Sequence, residues 1–345
     1  MVNRILPLLL FLSGINAQIA LPTFQGVHTS HAAASSLYDF TSHTFTNCGA
    51  TGQDGPTLAN CISSYNTSWE NNTDYFNVPS DAGIQYWTVP QTATYTIEVW
   101  GARGGYSGYA TSIYGKGTKM KSSHSLTEGE ILKILVGQAG SVNATTNYQY
   151  NSSGGGGSFV WKSDASLPLL VAGGGGGGSY GPSFHSNLDA NVGESGDPGI
   201  NTNGSVNQSN GGTDGSGGAG SGYSYQAGAG GGWLSDGGGG HSRCSYPVSG
   251  GSGIYNNGGA GGEGGNAQGG GTNYYGGFGG GGGASGACGT SGSGGGGGYS
   301  GGGVGATCCR SMGGGGGSYN TGSNQYDSTT LGYNTSDGKV IITLQ

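Results

Sequence analysis

Six cysteines are the side chains of this 345-residue chain whose chemistry is easiest to assign. An even cysteine count in an exported chain indicates disulfide bonds, and six cysteines allow fifteen connectivities. The short loop between Cys48 and Cys61 favours that pair, and the adjacent Cys308 and Cys309 are expected to bond to different partners. Zinc is the alternative, but no C-x-x-C spacing supports it. The predicted disulfide cysteines are Cys48, Cys61, Cys244, Cys288, Cys308 and Cys309.

Short matches to motifs for catalysis and cofactor binding occur in the sequence, but the residues around them do not fit the structures that these motifs require. Residues 215–220 fit the dinucleotide pattern G-x-G-x-x-G, but glycine-rich sequence matches it by accident and no strand–turn–helix pattern surrounds it. A phosphate-binding loop fails because Gly117 follows Lys116 where Ser or Thr is needed. His241 lies near Cys244, a spacing that a disulfide cysteine beside an ordinary histidine explains better than a metal site. No Ser-His-Asp arrangement has the required context, so we expect no enzyme, cofactor or metal.

Seven asparagines stand in N-x-S/T triplets, the acceptor signal for glycans on exported proteins. Such triplets also arise by chance in sequence rich in Asn, Ser and Thr, so we expect only some of them to be used. The predicted glycosylation residues are Asn66, Asn71, Asn143, Asn151, Asn203, Asn207 and Asn334.

Residues 1–17 have the pattern of a secretory signal peptide. Arg4 gives a positive start, residues 5–12 are apolar, and residues 15–17 offer a cleavage point. The apolar stretch is too short to span a membrane, and no later stretch approaches the length that a span needs. We expect a secreted, extracellular chain without a membrane span, in which residues 18–37 form a flexible leader.

The charge balance narrows the class of partner. The chain has 10 Lys and Arg against 17 Asp and Glu, and removal of Arg4 with the signal changes the net charge from −7 to −8. Nucleic-acid binding requires clustered Lys and Arg, so this composition argues against it. An acidic surface suits an extracellular protein ligand, and a basic one best; a merely solvated acidic surface is the alternative.

Short alternating runs, rich in β-branched and aromatic residues and bounded by turn residues, predict an all-β fold. Their spacing of roughly ten residues is typical of a sandwich or jelly roll. The last run follows the glycine-rich region and needs a sheet, so we expect it to return to the earlier strands. The predicted sandwich comprises residues 38–172 and 338–345. The runs are residues 84–89, 95–100, 118–126, 131–136, 158–162, 169–172 and 339–344.

Glycine supplies 84 residues, of which 66 lie between residues 154 and 317. Such sequence is usually flexible coil, but here large aromatic residues, four cysteines and attachment of both ends to a sheet favour order. Runs such as residues 173–178 break any Gly-X-Y period, which excludes collagen. We predict that residues 173–337 form an insertion, a bundle of polyglycine-II helices whose N–H and C=O groups pair with neighbours. The C-terminal strand closes the fold after this bundle.

A series of short motifs runs in order through the chain: residues 45–52, 55–57, 87–90, 95–97, 101–105, 134–138, 159–162, 168–172, 239–242 and 276–279. They resemble the glycine-rich extracellular domain of the anaplastic lymphoma kinase and leukocyte tyrosine kinase receptors, over about residues 44–345. The resemblance implies a tumour-necrosis-factor-like jelly roll fused to polyglycine helices, a Cys48–Cys61 bond and binding of a small cytokine ligand. The kinase motifs H-R-D and D-F-G are absent.

The function that these observations favour is a secreted binding module for a protein ligand. One alternative is a structural or adhesive matrix protein, in which the 21 tyrosines and the glycines self-associate. The other is the truncated ectodomain of a membrane receptor tyrosine kinase, with the kinase outside these residues. Non-repeating glycine segments favour a binding module over a matrix protein, because matrix proteins usually repeat a short unit.

Overall fold

The computed structural model describes residues 36–79, 83–108, 113–142, 151–179, 184–201, 209–220, 227–241, 247–265, 274–285, 292–305, 311–327 and 333–345. Within these ranges, short β-strands dominate and the two α-helices, α1 (Leu58–Ser64) and α2 (Ile254–Asn257), are small. The strands are β1 (Ser42–Phe45), β2 (Phe76–Asn77), β3 (Gln85–Thr88), β4 (Ala93–Trp100), β5 (Lys119–Leu126), β6 (Ile131–Leu135), β7 (Ser158–Lys162), β8 (Leu170–Ala172), β9 (Gly240–His241), β10 (Pro247–Val248), β11 (Tyr319–Asn320), β12 (Ser323–Asp327) and β13 (Lys339–Leu344).

Two antiparallel sheets share one apolar core. The first sheet has the order β1-β13-β4-β5-β12 and the second has the order β11-β8-β7-β6-β3-β2, while β9 and β10 pair separately. The core between the sheets is aromatic-rich, with Phe45, Tyr95, Phe76 and Trp87 fully buried. This arrangement confirms the predicted all-β fold; its identity as a jelly roll stays a prediction from the resemblance.

Strand β4 shows why the first sheet forms. Tyr95, Ile97 and Val99 are buried in the core, whereas Glu98 and Trp100 alternate with them on the outer face. A period of two is the pattern of a strand with one covered face. Within the described residues, the first sheet therefore buries one face and leaves the other without a second layer, its side chains on β4 half-buried.

The C-terminal strand β13 returns to the first sheet, as predicted. It pairs in antiparallel register with β1 on one side and with β4 on the other, opposite residues such as Trp100. Val340 and Ile342 enter the core. The two ends of the glycine-rich region are therefore held by one sandwich, which lowers the entropy lost when that region orders.

Strands β7 and β8 of the second sheet are buried on both faces. In β7, Val160 faces the sandwich core, whereas Phe159 and Trp161 pack against a second cluster from the glycine-rich region. There the Trp161 ring meets the Trp233 ring edge to face at 5.4 Å, and Phe278 is buried beside them. An apolar run without alternation, such as that of β7, is what a doubly covered strand requires.

The glycine run 173–178 has a three-residue period in its N–H partners. Gly174 and Gly177 both donate to the segment 294–297, at 2.8 Å each. Gly175 and Gly178 both donate to the segment 102–105. A threefold extended helix directs every third N–H to the same side, so this period is the one predicted for polyglycine-II geometry.

The carbonyl groups of the run 173–178 follow the same period towards other neighbours. Their donors lie in the segments 115–118, 152–155 and 313–316, and the carbonyl of Gly178 also accepts the hydroxyl of Ser293. The run is thus surrounded by neighbouring segments, and its buried main-chain groups are paired with them rather than within the run. Pairing of every buried amide is what makes a core without side chains possible.

We call the glycine segments that are joined by these main-chain hydrogen bonds the glycine network. Its boundaries differ from those of the predicted insertion, residues 173–337. The network includes the segments 101–105 and 152–156, which precede residue 173. Conversely, β11 and β12 lie inside the range 173–337 but belong to the two sheets. All five residues of β12 are exposed, so no apolar alternation marks this strand in the sequence. Residues 35–345 form one compact unit in which sandwich and network are interleaved.

Replacement of Gly175 by alanine tests the close approach of these backbones. A Cβ there would lie 2.1 Å from the carbonyl oxygen of Gly115, a backbone atom that cannot move alone. We expect Gly175→Ala to reduce the free energy of unfolding by about 3 kcal/mol. At the exposed Gly193 the nearest atom would be 3.4 Å away, so Gly193→Ala should change it by less than about 0.5 kcal/mol. Equal denaturation midpoints for the two variants would contradict the network.

Candidate binding surface

The predicted disulfide between Cys48 and Cys61 is present and is therefore confirmed. It joins the loop after β1 to helix α1, which begins after Thr57; the Thr57 hydroxyl accepts the N–H of Asn60 at 3.2 Å. The other four predicted disulfide residues lie outside the described residues: Cys244, Cys288, Cys308 and Cys309.

The predicted glycosylation residues fall into three groups. Asn66 and Asn71 are exposed. Asn151 and Asn334 are buried, and the Asn334 amide donates to the carbonyls of Gly101 at 2.7 Å and Asp337 at 2.8 Å. The glycan prediction for Asn334 stays a prediction, and a glycan on this nitrogen would leave it one N–H, which is too few for both contacts. The remaining three lie outside the described residues: Asn143, Asn203 and Asn207.

The uncovered outer face of the first sheet carries a cluster of cationic and aromatic side chains, which we call the Trp100 face. On β4, Trp100 lies opposite Lys119 of β5 on one side and Lys339 of β13 on the other. One step along the sheet, Glu98 lies opposite Lys121. Tyr326 of β12 and Tyr333 complete the face and are 53% and 45% exposed.

The indole of Trp100 organises the two nearest lysines. The Lys339 ammonium lies 3.7 Å from the ring centroid and the Lys119 ammonium 4.8 Å from it. The Tyr333 ring meets the indole edge to face at 5.0 Å. Cation–π contacts of this kind hold flexible lysine side chains in place.

Glu98 is the carboxylate of the Trp100 face, and its oxygens are already in use. Its Oε1 accepts the indole N–H of Trp100 at 2.7 Å, and its Oε2 lies 3.1 Å from the Lys119 ammonium. The face therefore carries three lysines against one carboxylate, on a chain whose net charge is −7. This local excess of positive charge runs against the balance of the whole chain.

A surface cavity of about 370 Å³ opens on this face, lined by Glu98, Lys119, Lys121, Asn324 and Tyr326. An irregularity in the pairing of β12 with β5 falls between Ser323 and Tyr326. Bulges of this kind re-aim side chains near binding sites, and this one places Asn324 and Tyr326 on the cavity wall. The arrangement can bind an anionic group beside an aromatic surface.

Sequence reasoning did not identify the Trp100 face. The alternation of β4 and β5 predicts that Trp100, Lys119 and Lys121 point outwards. Their proximity to Lys339 and Tyr326, however, depends on which strands are neighbours. That order is a property of the fold, and no local pattern reports it.

A second cluster of ionisable groups lies within the glycine network. Asp189 is 4% exposed and accepts the main-chain N–H of Lys116 at 2.7 Å; burial raises the pKa of its carboxyl group. Burial, together with the nearby Asp189, raises the pKa of Asp197 to about 6. Within the described residues no group of three or more His, Cys, Asp and Glu side chains is arranged to hold a metal ion.

The comparisons with known proteins bear on part of the chain. No protein-family model matches. The leukocyte tyrosine kinase receptor of Mus musculus is 36% identical over 96 residues, a match that covers 28% of this chain and 11% of the receptor. The match supports the coarser part of the resemblance, a relationship between part of this chain and part of a receptor. Neither helix of the described residues has the length and apolar character needed to cross a bilayer.

Asp197 gives a pH prediction. Its pKa is raised in the folded state, so the folded chain binds the proton more tightly, and stability falls as pH rises from about 4 to about 6. Asn mimics the protonated group; we expect Asp197→Asn to be more stable than the unaltered chain at pH 7.4 by roughly 1–3 kcal/mol, and equal to it below pH 4. Burial also lowers the pKa of His43 and of His124 to about 4. Both histidines are present in the variant and in the unaltered chain, so their contributions cancel in the stability difference between the two proteins. A stability difference between the two proteins that does not change with pH would contradict the raised pKa of Asp197.

Glycan mapping tests the accessibility of the sequons. In protein secreted from a glycosylating host, we expect glycans on Asn66 and Asn71, whose side chains are exposed, and an unmodified Asn334. Enzymatic glycan removal in heavy-oxygen water, followed by peptide mass spectrometry, marks each occupied asparagine. Full occupancy of Asn334 in folded protein would show that its amide does not hold the Gly101 loop.

Proposed function

We propose that this chain is a secreted, extracellular binding module that engages a protein ligand through the Trp100 face. The observation that carries the proposal is the contrast between the sheets within the described residues: β7 and β8 of the second sheet are covered on both faces, whereas the first sheet presents exposed tyrosine rings beside half-buried lysines. Tyr and Trp, the aromatic residues of this face, are enriched among the interface residues that contribute most of the binding energy. The signal-peptide pattern and the confirmed disulfide support an extracellular setting.

A matrix role is the first alternative, and the hydrogen bonds argue against it. Self-association of glycine-rich chains requires main-chain groups that are free to pair with another copy. In the described part of the glycine network, runs such as residues 173–178 and 294–298 pair with other segments of the same chain. These runs are buried and have little left to offer a second molecule.

The receptor alternative concerns the context of the module rather than its role. The match to 11% of a tyrosine kinase receptor supports a common origin for part of the two chains. In a receptor piece, the kinase would lie outside these residues, and ligand binding would still be the role of this part. We propose no catalytic step for the chain, because none of the catalytic motifs sought in its sequence has the surrounding residues that it requires.

Ligand capture with matched variants tests the proposal. Secreted protein would first be examined by size exclusion with light scattering, where we expect one species across a tenfold concentration range. It would then be incubated with extracellular fluid of its source and cross-linked to the proteins that bind it. The Trp100→Ser and Tyr86→Ser variants would be treated in the same way. Tyr86, on the second sheet, has its own lysine contact with Lys133 at 5.2 Å and serves as the control. We expect a protein retained by the unaltered chain and by Tyr86→Ser, but lost by Trp100→Ser.

Two results would reject this function. Polymers that grow with concentration would favour the matrix role. Equal capture by folded Trp100→Ser and by the unaltered chain would remove the Trp100 face from binding. Thermal unfolding of each variant identifies a Trp100→Ser protein that is lost merely because it does not fold.

A further inference from the structure

Within the part of the chain that the structure describes, two lysines of the Trp100 face have no ion-pair partner. In the described residues, the ion pairs join Lys119 to Glu98 and Lys162 to Glu130. The ammonium groups of Lys121 and Lys339 take part in neither pair, although both side chains are half-buried on the sheet. Unpaired ammonium groups beside low-dielectric aromatic surface attract an anion more strongly than lysines in open solvent.

The edge of the sheet beside the cavity is not suited to strand addition. β12 is the outermost strand, but its pairing with β5 is interrupted between Ser323 and Tyr326, and Asn324 has φ of +49°. Interruptions of this kind protect sheet edges against pairing with another chain. A ligand on this face must therefore be held by side chains: ammonium groups for charge, and Tyr326 and Tyr333 for apolar contact.

We infer that the Trp100 face binds an acidic segment of the ligand, with carboxylate groups contacting Lys121 and Lys339 and an apolar side chain packing on Tyr326 or Tyr333. The inference rests on the proposed function and specifies that the part of the ligand in contact with this face is negatively charged. It replaces the basic partner expected from net charge, because charge complementarity acts at the contact surface and not over the whole chain.

A peptide segment fits this face better than a long polyanion such as a sulfated polysaccharide. The lysine cluster is small and lies on a chain of net charge −7. A polyanion longer than the cluster would extend beyond the lysines over a chain of net negative charge, and repulsion between like charges reaches about 10 Å at ordinary salt. A short acidic segment places its few charges at the lysines alone.

Fluorescence anisotropy tests the inference with a defined probe. The probe is a fluorescein-labelled decapeptide of alternating glutamate and tyrosine; its control has glutamine in place of glutamate. We expect the acidic peptide to bind more tightly than the control, and Lys121→Met and Lys339→Met each to weaken it about fivefold. The double variant should lose most of the salt dependence of binding. Lys133→Met makes the same charge change on the second sheet and should have no effect.

The outcomes separate this inference from the proposed function. Equal affinity of the acidic and glutamine peptides, or equal losses in the Lys121, Lys339 and Lys133 variants, would overturn the acidic-segment inference. If a captured protein ligand is lost by Trp100→Ser but kept by the folded Lys121→Met/Lys339→Met protein, the module binds a ligand whose contact is not acidic. Heparin that displaces the peptide and itself binds more tightly would identify a polyanion as the occupant and overturn the peptide assignment.

Discussion

Main-chain hydrogen bonds between neighbouring glycine segments are the interaction on which the rest of this structure depends. Glycine loses more backbone freedom on ordering than other residues and has no side chain to bury. Paired amides must therefore supply most of the cohesion, aided by weak Cα–H···O contacts at the same close approach. That approach leaves no room for a methyl group: a Cβ on Gly296 would lie 2.1 Å from the oxygen of Gly174. Each segment is ordered only when its neighbours are, so the network forms as a whole.

The network also decides which surface of the sandwich remains free. Its large side chains, Trp233 and Phe278 among them, cover the outer face of the second sheet through Phe159 and Trp161. The indole N–H of Trp233 donates to the carbonyl of Ser166 at 2.9 Å and so ties the network to the loop between two strands. In the described part of the chain, the outer face of the first sheet has no such cover, because the glycine network occupies the opposite side of the sandwich.

Sequence predicts those parts of the fold in which local pattern and burial coincide. The alternation of β4 and the apolar β13 indicate strands because each places buried residues two apart. β12 has no buried residue, so its polar sequence carries no such signal. Likewise, glycine content predicts threefold helices but not their partners. Only the fold brings segment 115–118 against the run 173–178, or Lys339 beside Trp100.

The network and the Trp100 face are connected through the main chain. Beside Trp100, the Gly101 N–H donates to the carbonyl of Thr118 at 3.0 Å, and the Thr118 N–H donates to the carbonyl of Gly173 at 3.0 Å. The hydroxyl of Ser158 donates to the carbonyl of Trp100 itself at 2.7 Å. These bonds fix the backbone at the ends of β4 and β5, from which the indole and Lys119 project. A face held in place before the ligand arrives loses less conformational entropy on binding. Under the proposed function, a glycine network remote from the contact surface would thereby contribute to affinity without touching the ligand.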